Sequence, residues 1–147
     1  MPRKTGVQRA AAAHELVVIT GLSGSGKGTV LKCLEDLGYY SVDNLPVDLI
    51  ATFAELAEAA VGGRRAALVV DVREGEALKR FPAIYRRVRR RVAARLVFLE
   101  ADEEALLRRF SETRRPHPLG SGRSVARSIR SERQMLAPIR ALADLTI

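Results

Sequence analysis

The chain has 147 residues, 47% of them hydrophobic, enough for one domain with a real core and too apolar for a disordered segment. Lysine and arginine outnumber aspartate and glutamate 25 to 17, a formal charge of +8 that favours an anionic partner, nucleotide or nucleic acid, without choosing one. The lone Cys33 excludes an internal disulfide framework and suits a reducing compartment, no cysteine or histidine cluster suggests a zinc site, and no apolar run reaches the roughly 20 residues that span a bilayer.

Met1 to His14 reads as a flexible, basic and alanine-rich lead-in without the apolar region of a signal peptide, and residues 15–147 as one domain. Leu16 to Thr20 is the first strand, and Lys27 to Leu37 the helix after it, closed by Gly38. Tyr39 to Val42 is a short strand that breaks into a turn at Asn44 to Pro46, and Pro46 starts a helix running through Ala60 to Gly62-Gly63. Ala66 to Val70 is a buried strand ending on Asp71. From Lys79 to Arg95 eight basic residues occur without one acid, while Phe81, Tyr85, Val88 and Val92 recur at helical spacing, which predicts an amphipathic helix with a basic outer face. That face is either solvated or a polyanion-binding surface. A strand over Arg95 to Leu99, a helix over Glu103 to Ser111, a loop over Pro116 to Arg123 and a helix over Ser124 to Leu136 follow. Ala143 to Ile147 reads as the opening of a further strand, so the chain is expected to be a fragment of a longer protein; the alternative is that these residues finish the last strand of a complete small one. Alternating strands and helices predict an α/β three-layer αβα sandwich around a parallel sheet.

The chemistry is concentrated at Leu16 to Thr29, where an apolar run stops at glycine and continues as G-x-x-x-x-G-K. Between a strand and a helix this is a phosphate-binding loop. Gly21, Leu22, Ser23, Gly24, Ser25, Gly26, Lys27, Gly28 and Thr29 offer backbone N–H groups and a helix N-terminus to an anion, and Lys27 reaches the β- and γ-phosphates of a nucleoside triphosphate. The position after the lysine normally carries a Ser or Thr that ligates Mg²⁺; here it is Gly28. The G-K-G-T form resembles adenylate kinases, and Thr29 meets either phosphate or a metal-bound water. Asp71, at the carboxyl end of a buried strand, is placed as a Walker B acid that holds a water of the Mg²⁺ shell, or else caps a turn. Arg73 suits a bidentate phosphate clamp or a loop salt bridge. Arg108, Arg109, Arg114 and Arg115 flank a helix end and a Pro-rich loop, as the lid arginines of nucleoside monophosphate kinases do; the other reading is solvent-facing charge. His117, between two prolines, reads as a loop hydrogen-bonding residue rather than a base. Asp43-Asn44 serves equally as an acceptor-binding segment or as a turn before a helix.

Together the blocks G-x-S-G-S-G-K, L-E-D-L-G-Y-Y-x-V-D-N-L-P, D-V-R and F-L-E-A-D-E-E-x-L-x-R-R-F-S-E-T-R-R-x-H-P-L resemble the RapZ (YvcJ) family of bacterial P-loop nucleotide-binding proteins, also called RNase adapter proteins, from about Leu16 to Ile147. The resemblance implies the P-loop NTPase fold of the nucleoside-monophosphate-kinase type, with ATP at Gly21 to Gly28. It implies a GTP contact at Asp71, Val72, Arg73 and Glu74, slow hydrolysis of both nucleotides, Mg²⁺ as the accompanying ion, a cytoplasmic setting and a homo-oligomer in the full-length protein. RNA binding and its presentation to a ribonuclease belong in that family largely to a C-terminal domain outside this sequence. The expected function is an ATP/GTP-binding regulatory module, an enzyme at most as a slow ATPase or GTPase. The alternative is a small-molecule kinase of the nucleoside monophosphate kinase type. A basic nucleic-acid-binding module is disfavoured, since three Tyr, four Phe and no Trp leave few platforms for base stacking.

Overall fold

Strand β1 (Glu15–Gly21) carries six consecutive buried residues, Leu16 to Gly21, so both of its faces lie in a core. An interior parallel strand requires that pattern, because helices cover the sheet on both sides. The computed structural model describes residues 15–59, 65–102, 104–108 and 125–147. β2 (Tyr40–Val42), β3 (Ala66–Val69), β4 (Ala93–Leu99) and β5 (Leu145–Thr146) complete an all-parallel sheet of five strands in the order β2-β3-β1-β4-β5. The order reverses between β1 and β3, so the chain leaves these two neighbours in opposite directions and opens a crevice at their carboxyl ends.

Helix α1 (Lys27–Asp36) lies on one face, where Leu31 packs with Val17 and Ile19 of β1, Ala67 and Val69 of β3, and Leu99 of β4. Helices α2 (Ile50–Ala59), α3 (Phe81–Arg91) and α4 (Val125–Arg140) supply the other face. There Leu16, Val18 and Leu22 meet Phe53, Ile84, Tyr85, Ile129, Leu136 and Ile139. Each large side chain sealed in this way contributes roughly 1.5–3 kcal/mol. Tyr85 stacks on Phe81 and donates its hydroxyl to Asp144 at 3.2 Å, while Asp144 also accepts the Leu96 N–H at 2.8 Å. One carboxylate thus fastens α3, β4 and the approach to β5.

The three-layer parallel architecture agrees with the sequence, and several boundaries differ. The basic run is not one helix. Lys79 and Arg80 belong to a 3₁₀ segment, Val72–Arg80, kinked at Gly75, and Arg95 lies on β4. β4 starts at Ala93 because its first two residues pair with Glu15 and Leu16. α4 does not stop at Leu136; it continues through Pro138 to Arg140, because Leu136 and Ile139 share the buried face and outweigh the missing proline N–H. Part of the basic surface is neutralised internally, by Arg80–Asp48 at 2.7 Å, Arg91–Glu55 at 3.0 Å and Arg89–Asp144 at 3.2 Å. Arg86, Arg87 and Arg90 are exposed. The lead-in, Met1 to His14, lies outside the described residues.

Candidate functional site

The loop between β1 and α1 follows from two local constraints. Gly21 pairs with Leu99 at the end of β1, and the Leu22 N–H donates to the Leu99 carbonyl at 3.3 Å, so the chain leaves the sheet at a fixed point. Ser25 then folds back, its N–H donating to the Leu22 carbonyl at 3.0 Å, and Gly26 delivers the chain to α1 with φ of +102°. No side chain caps α1 and no acid occupies its first turn, so the helix presents backbone N–H groups and its positive end toward the loop. Lys27 lies back across this loop, its Nζ donating to the Gly21 carbonyl at 2.9 Å and the Leu22 carbonyl at 3.1 Å. Burial pushes the Lys27 ammonium below its ordinary range, opposed by the charges of Glu132, Asp71 and Asp43.

The sheet brings Asp71 beside this loop, just beyond the carboxyl end of β3 and within the electrostatic reach of Lys27. Its carboxylate is buried, with Oδ1 accepting the Arg73 N–H at 2.8 Å and Oδ2 accepting Arg73 Nη2 at 2.8 Å and Nε at 3.1 Å. Burial alone would raise the Asp71 carboxyl, but the side-chain and backbone hydrogen bonds from Arg73 hold it below the ordinary carboxylate value. Of the two readings of Arg73, this structure has the loop salt bridge. Glu74 reaches the other way and accepts the Val47 N–H at 3.0 Å, tying the D-V-R-E segment to the turn after D-N-L-P. The Leu45 N–H donates to the Val69 carbonyl at 3.2 Å, and Asn44 takes a left-handed φ of 59°. Asp43 lies close enough to affect both Lys27 and Arg73. The structure therefore gathers the loop, Asp71 to Glu74 and Asp43 around one crevice.

One member of the site escaped the sequence reading. Glu132 of α4 is fully buried, and its carboxylate accepts both the backbone N–H and the hydroxyl of Ser23. The signal lay in spacing: Ile129, Glu132, Leu136 and Ile139 occupy one helical face, so a charged residue stands at a core position. Of the lid candidates, Arg108 is exposed on a short helical stretch at 104–108, whereas Arg109, Arg114 and Arg115 lie outside the described residues, as does the loop residue His117. Thr29 and Gly28 are exposed on the first turn of α1. Among the described residues no cluster of three or more carboxylate, histidine or cysteine side chains could hold a metal ion, and no helix is long and apolar enough to cross a membrane.

Known proteins share this fold and much of this sequence. The chain is 68% identical over 133 residues to a nucleotide-binding protein of Solibacter usitatus and 64% identical over 133 residues to one of Koribacter versatilis. It is covered to 90% in both alignments but spans only 42% and 43% of those relatives' length. Among solved structures, it is similar to a shikimate kinase of Acinetobacter baumannii in complex with shikimate, with a TM-score of 0.57 at 21% identity, covering 95% of this chain and 86% of that one. The YorR protein of Bacillus subtilis, in complex with phosphorylated GDP, gives a TM-score of 0.55 at 17% identity over 90% of this chain and 83% of that one. At these identities the likeness shows the P-loop kinase-like fold alone. The RapZ-like N-terminal domain profile matches residues 14–147, nearly the whole chain, and the protein accordingly belongs to the RapZ-like N-terminal domain family.

Proposed function

We propose that this domain binds a nucleoside triphosphate, ATP or GTP, across Gly21 to Thr29, turns it over slowly at most, and acts as the nucleotide-sensing half of an RNase-adapter-type protein. The observation that carries this reading is the pairing of the uncapped α1 N-terminus and Lys27 with Asp71 at the strand-order reversal. Backbone N–H groups would cradle the α- and β-phosphates, and Lys27 would leave the Gly21 and Leu22 carbonyls to meet the β- and γ-oxygens. Asp71 to Glu74 is the segment toward which a guanine nucleotide would be directed. RNA and ribonuclease contacts are assigned to the longer protein.

The donor set fits Mg²⁺ only as an ion brought in by the phosphates. Gly28 has no hydroxyl, Thr29 is exposed, and Asp71 is held by Arg73, which suits it to a water of the ion's shell rather than to the ion itself. Bound there, Mg²⁺ would neutralise charge developing on the phosphate oxygens. The protein's own part is to position the phosphates and to aim Lys27 at them, and this sparse metal support is consistent with slow turnover.

A small-molecule kinase is the second reading. It is favoured by Asp43, which shares the field of Lys27 and Arg73 at the mouth of the crevice, where an acceptor would sit. Incubation with Mg·ATP or Mg·GTP, alone and with a panel of nucleoside monophosphates, separates the two. Binding with slow phosphate release, lost in Lys27→Ala, supports the sensing module. Nucleoside diphosphate formed from an added monophosphate makes the protein a kinase. Unchanged triphosphate affinity in Lys27→Ala, against an expected loss of roughly 10–100-fold for a charged contact, refutes both.

A further inference from the structure

We propose that Glu132 is a positioning residue of the nucleotide site: it holds the phosphate loop through Ser23 and makes the setting of α4 depend on what the loop contains. The inference rests on nucleotide binding at Gly21 to Thr29 and adds to it a partner within the fold. A buried carboxylate is costly to keep unless hydrogen bonds compensate it, and a helix needs none at a core position. Here the compensation comes from Ser23, inside the loop and separated by 109 residues of sequence. Both Ser23 donors point at the same carboxylate, so the loop cannot shift at Ser23 without moving or abandoning Glu132.

The adjoining residue fixes the helix on its other side. Arg133 donates from Nη2 to the Ala101 carbonyl at 2.7 Å and from Nη1 to Glu100 at 3.3 Å, and Arg140 reaches the other oxygen of Glu100 at 3.0 Å. Two consecutive residues of α4 therefore fasten the helix to the carboxyl ends of β1 and β4, the edge on which the loop opens. Beyond Glu100, the Glu100 N–H donates to the Ile147 carbonyl at 2.7 Å, so the same edge also holds β5. One turn before Glu132, the Ser128 hydroxyl is buried without a hydrogen-bond partner among the described residues, as is the Thr20 hydroxyl at the end of β1. An unpaired hydroxyl one helical turn from a buried carboxylate is a cost that packing alone does not explain. A loop that reshapes around phosphate at Ser23 carries the Glu132 carboxyl with it through these two hydrogen bonds, and α4 follows. Such couplings between a site and a packed element commonly amount to 5–150-fold in affinity.

The test uses the whole chain, with dissociation constants for ATP and for inorganic tripolyphosphate measured on wild type, Ser23→Ala, Glu132→Gln and Glu132→Ala. Hydrogen exchange across Ile129 to Arg140 is followed with and without ATP. Glutamine keeps the shape and an acceptor for the Ser23 N–H, and Ser23→Ala removes only the hydroxyl contact. The expected result is about a tenfold loss of ATP and tripolyphosphate affinity in Glu132→Ala, substantial recovery in Glu132→Gln and an intermediate loss in Ser23→Ala. ATP is expected to slow exchange in α4 of the wild type and of Glu132→Gln. Wild-type affinity in every folded variant, or exchange in α4 that ignores ATP in the wild type, overturns the inference while leaving the nucleotide reading intact. A wild type that binds neither ligand overturns the nucleotide reading and the inference with it. If Glu132→Ala does not fold, Ser23→Ala and Glu132→Gln decide: an unaltered Ser23→Ala, or a Gln variant that folds and has lost binding, refutes positioning by hydrogen bonds.

Discussion

Replacing Gly21 by alanine tests whether the phosphate loop is fixed by the sheet or only by its own turns. Gly21 has φ of +144°, and a Cβ built on it falls 2.3 Å from the Leu99 carbonyl oxygen, 2.8 Å from the Leu99 nitrogen and 3.0 Å from the Leu99 carbonyl carbon. All three are backbone atoms of a paired strand, so no side-chain rotation relieves the clash. The backbone conformation alone costs a non-glycine residue roughly 1–3 kcal/mol. Overpacking adds about 1–3 kcal/mol, and losing the Leu22 to Leu99 hydrogen bond adds about 1 kcal/mol more. Together roughly 3–7 kcal/mol is set against the ~5–15 kcal/mol that stabilises a typical domain. At about 3 °C per kcal/mol for a chain of this size, Tm should fall by roughly 10–20 °C. Gly26 supplies the comparison, because its φ is +102° but a Cβ there meets nothing within 4 Å. Strain alone, about 1–2 kcal/mol, should lower Tm by only a few degrees in Gly26→Ala. At Gly28 there is open space and no positive φ, within helix α1, so Gly28→Ala should be neutral or stabilising by up to ~1 kcal/mol. Thermal unfolding followed by circular dichroism, without nucleotide, reads all three. A Gly21→Ala protein that melts within a few degrees of Gly28→Ala would refute the claim that Leu99 fixes the loop.

Gly28→Ser restores a hydroxyl at the position that usually ligates Mg²⁺, in space that accommodates it; triphosphate affinity should gain a larger dependence on added Mg²⁺, measured by titration with and without EDTA. Arg73→Ala should shift acid unfolding. With Arg73 present, the lowered Asp71 carboxyl contributes stability that is complete above its unfolded value and is lost as pH falls through the folded value. Without the Arg73 side chain two of the lowering influences are lost while the residue-73 N–H and Lys27 remain, so the carboxyl moves upward and stability should begin to fall at a higher pH on the acid side; urea midpoints from pH 7 to pH 3 would detect it, and coincident profiles would contradict it. Asp144→Ala removes the acceptor shared by the Leu96 N–H and the Tyr85 hydroxyl and should cost roughly 2–4 kcal/mol, read as a lowered urea midpoint with an unchanged slope.

The parts of the candidate site that were legible in the sequence are those that lie in consecutive residues. The phosphate loop, the strand before it and the helix after it are one continuous segment, and Asp71 ends an apolar run whose meaning depends only on its neighbours. Arg73 was ambiguous because its two possible partners, a phosphate and the carboxylate two residues away, ask for the same guanidinium; in the folded chain it is on Asp71. Glu132 left a local trace, an acid on a buried helical face, but nothing local could name Ser23 as its partner. Boundaries failed where tertiary packing outweighed local rules. Pro138 argues for a helix end, yet Ile139 on the buried face carries α4 onward, and β4 begins earlier than its valine and leucine residues suggest because β1 extends back to Glu15 and offers it pairs.

The central place of β1 also bears on the order of events during synthesis. The loop is complete in sequence by Thr29, yet the strands that hold β1 in place begin only at Ala66 and Ala93, and the carboxylate that grips Ser23 arrives at Glu132. A nascent chain thus carries the loop sequence long before it carries the assembled candidate site. Such non-local closure slows folding, and a ligand that binds only the closed form draws the whole sheet together rather than the loop alone. Nucleotide present in the cell during translation would then act on this domain as a folding ligand, favouring the finished sheet only once its last helix has been made.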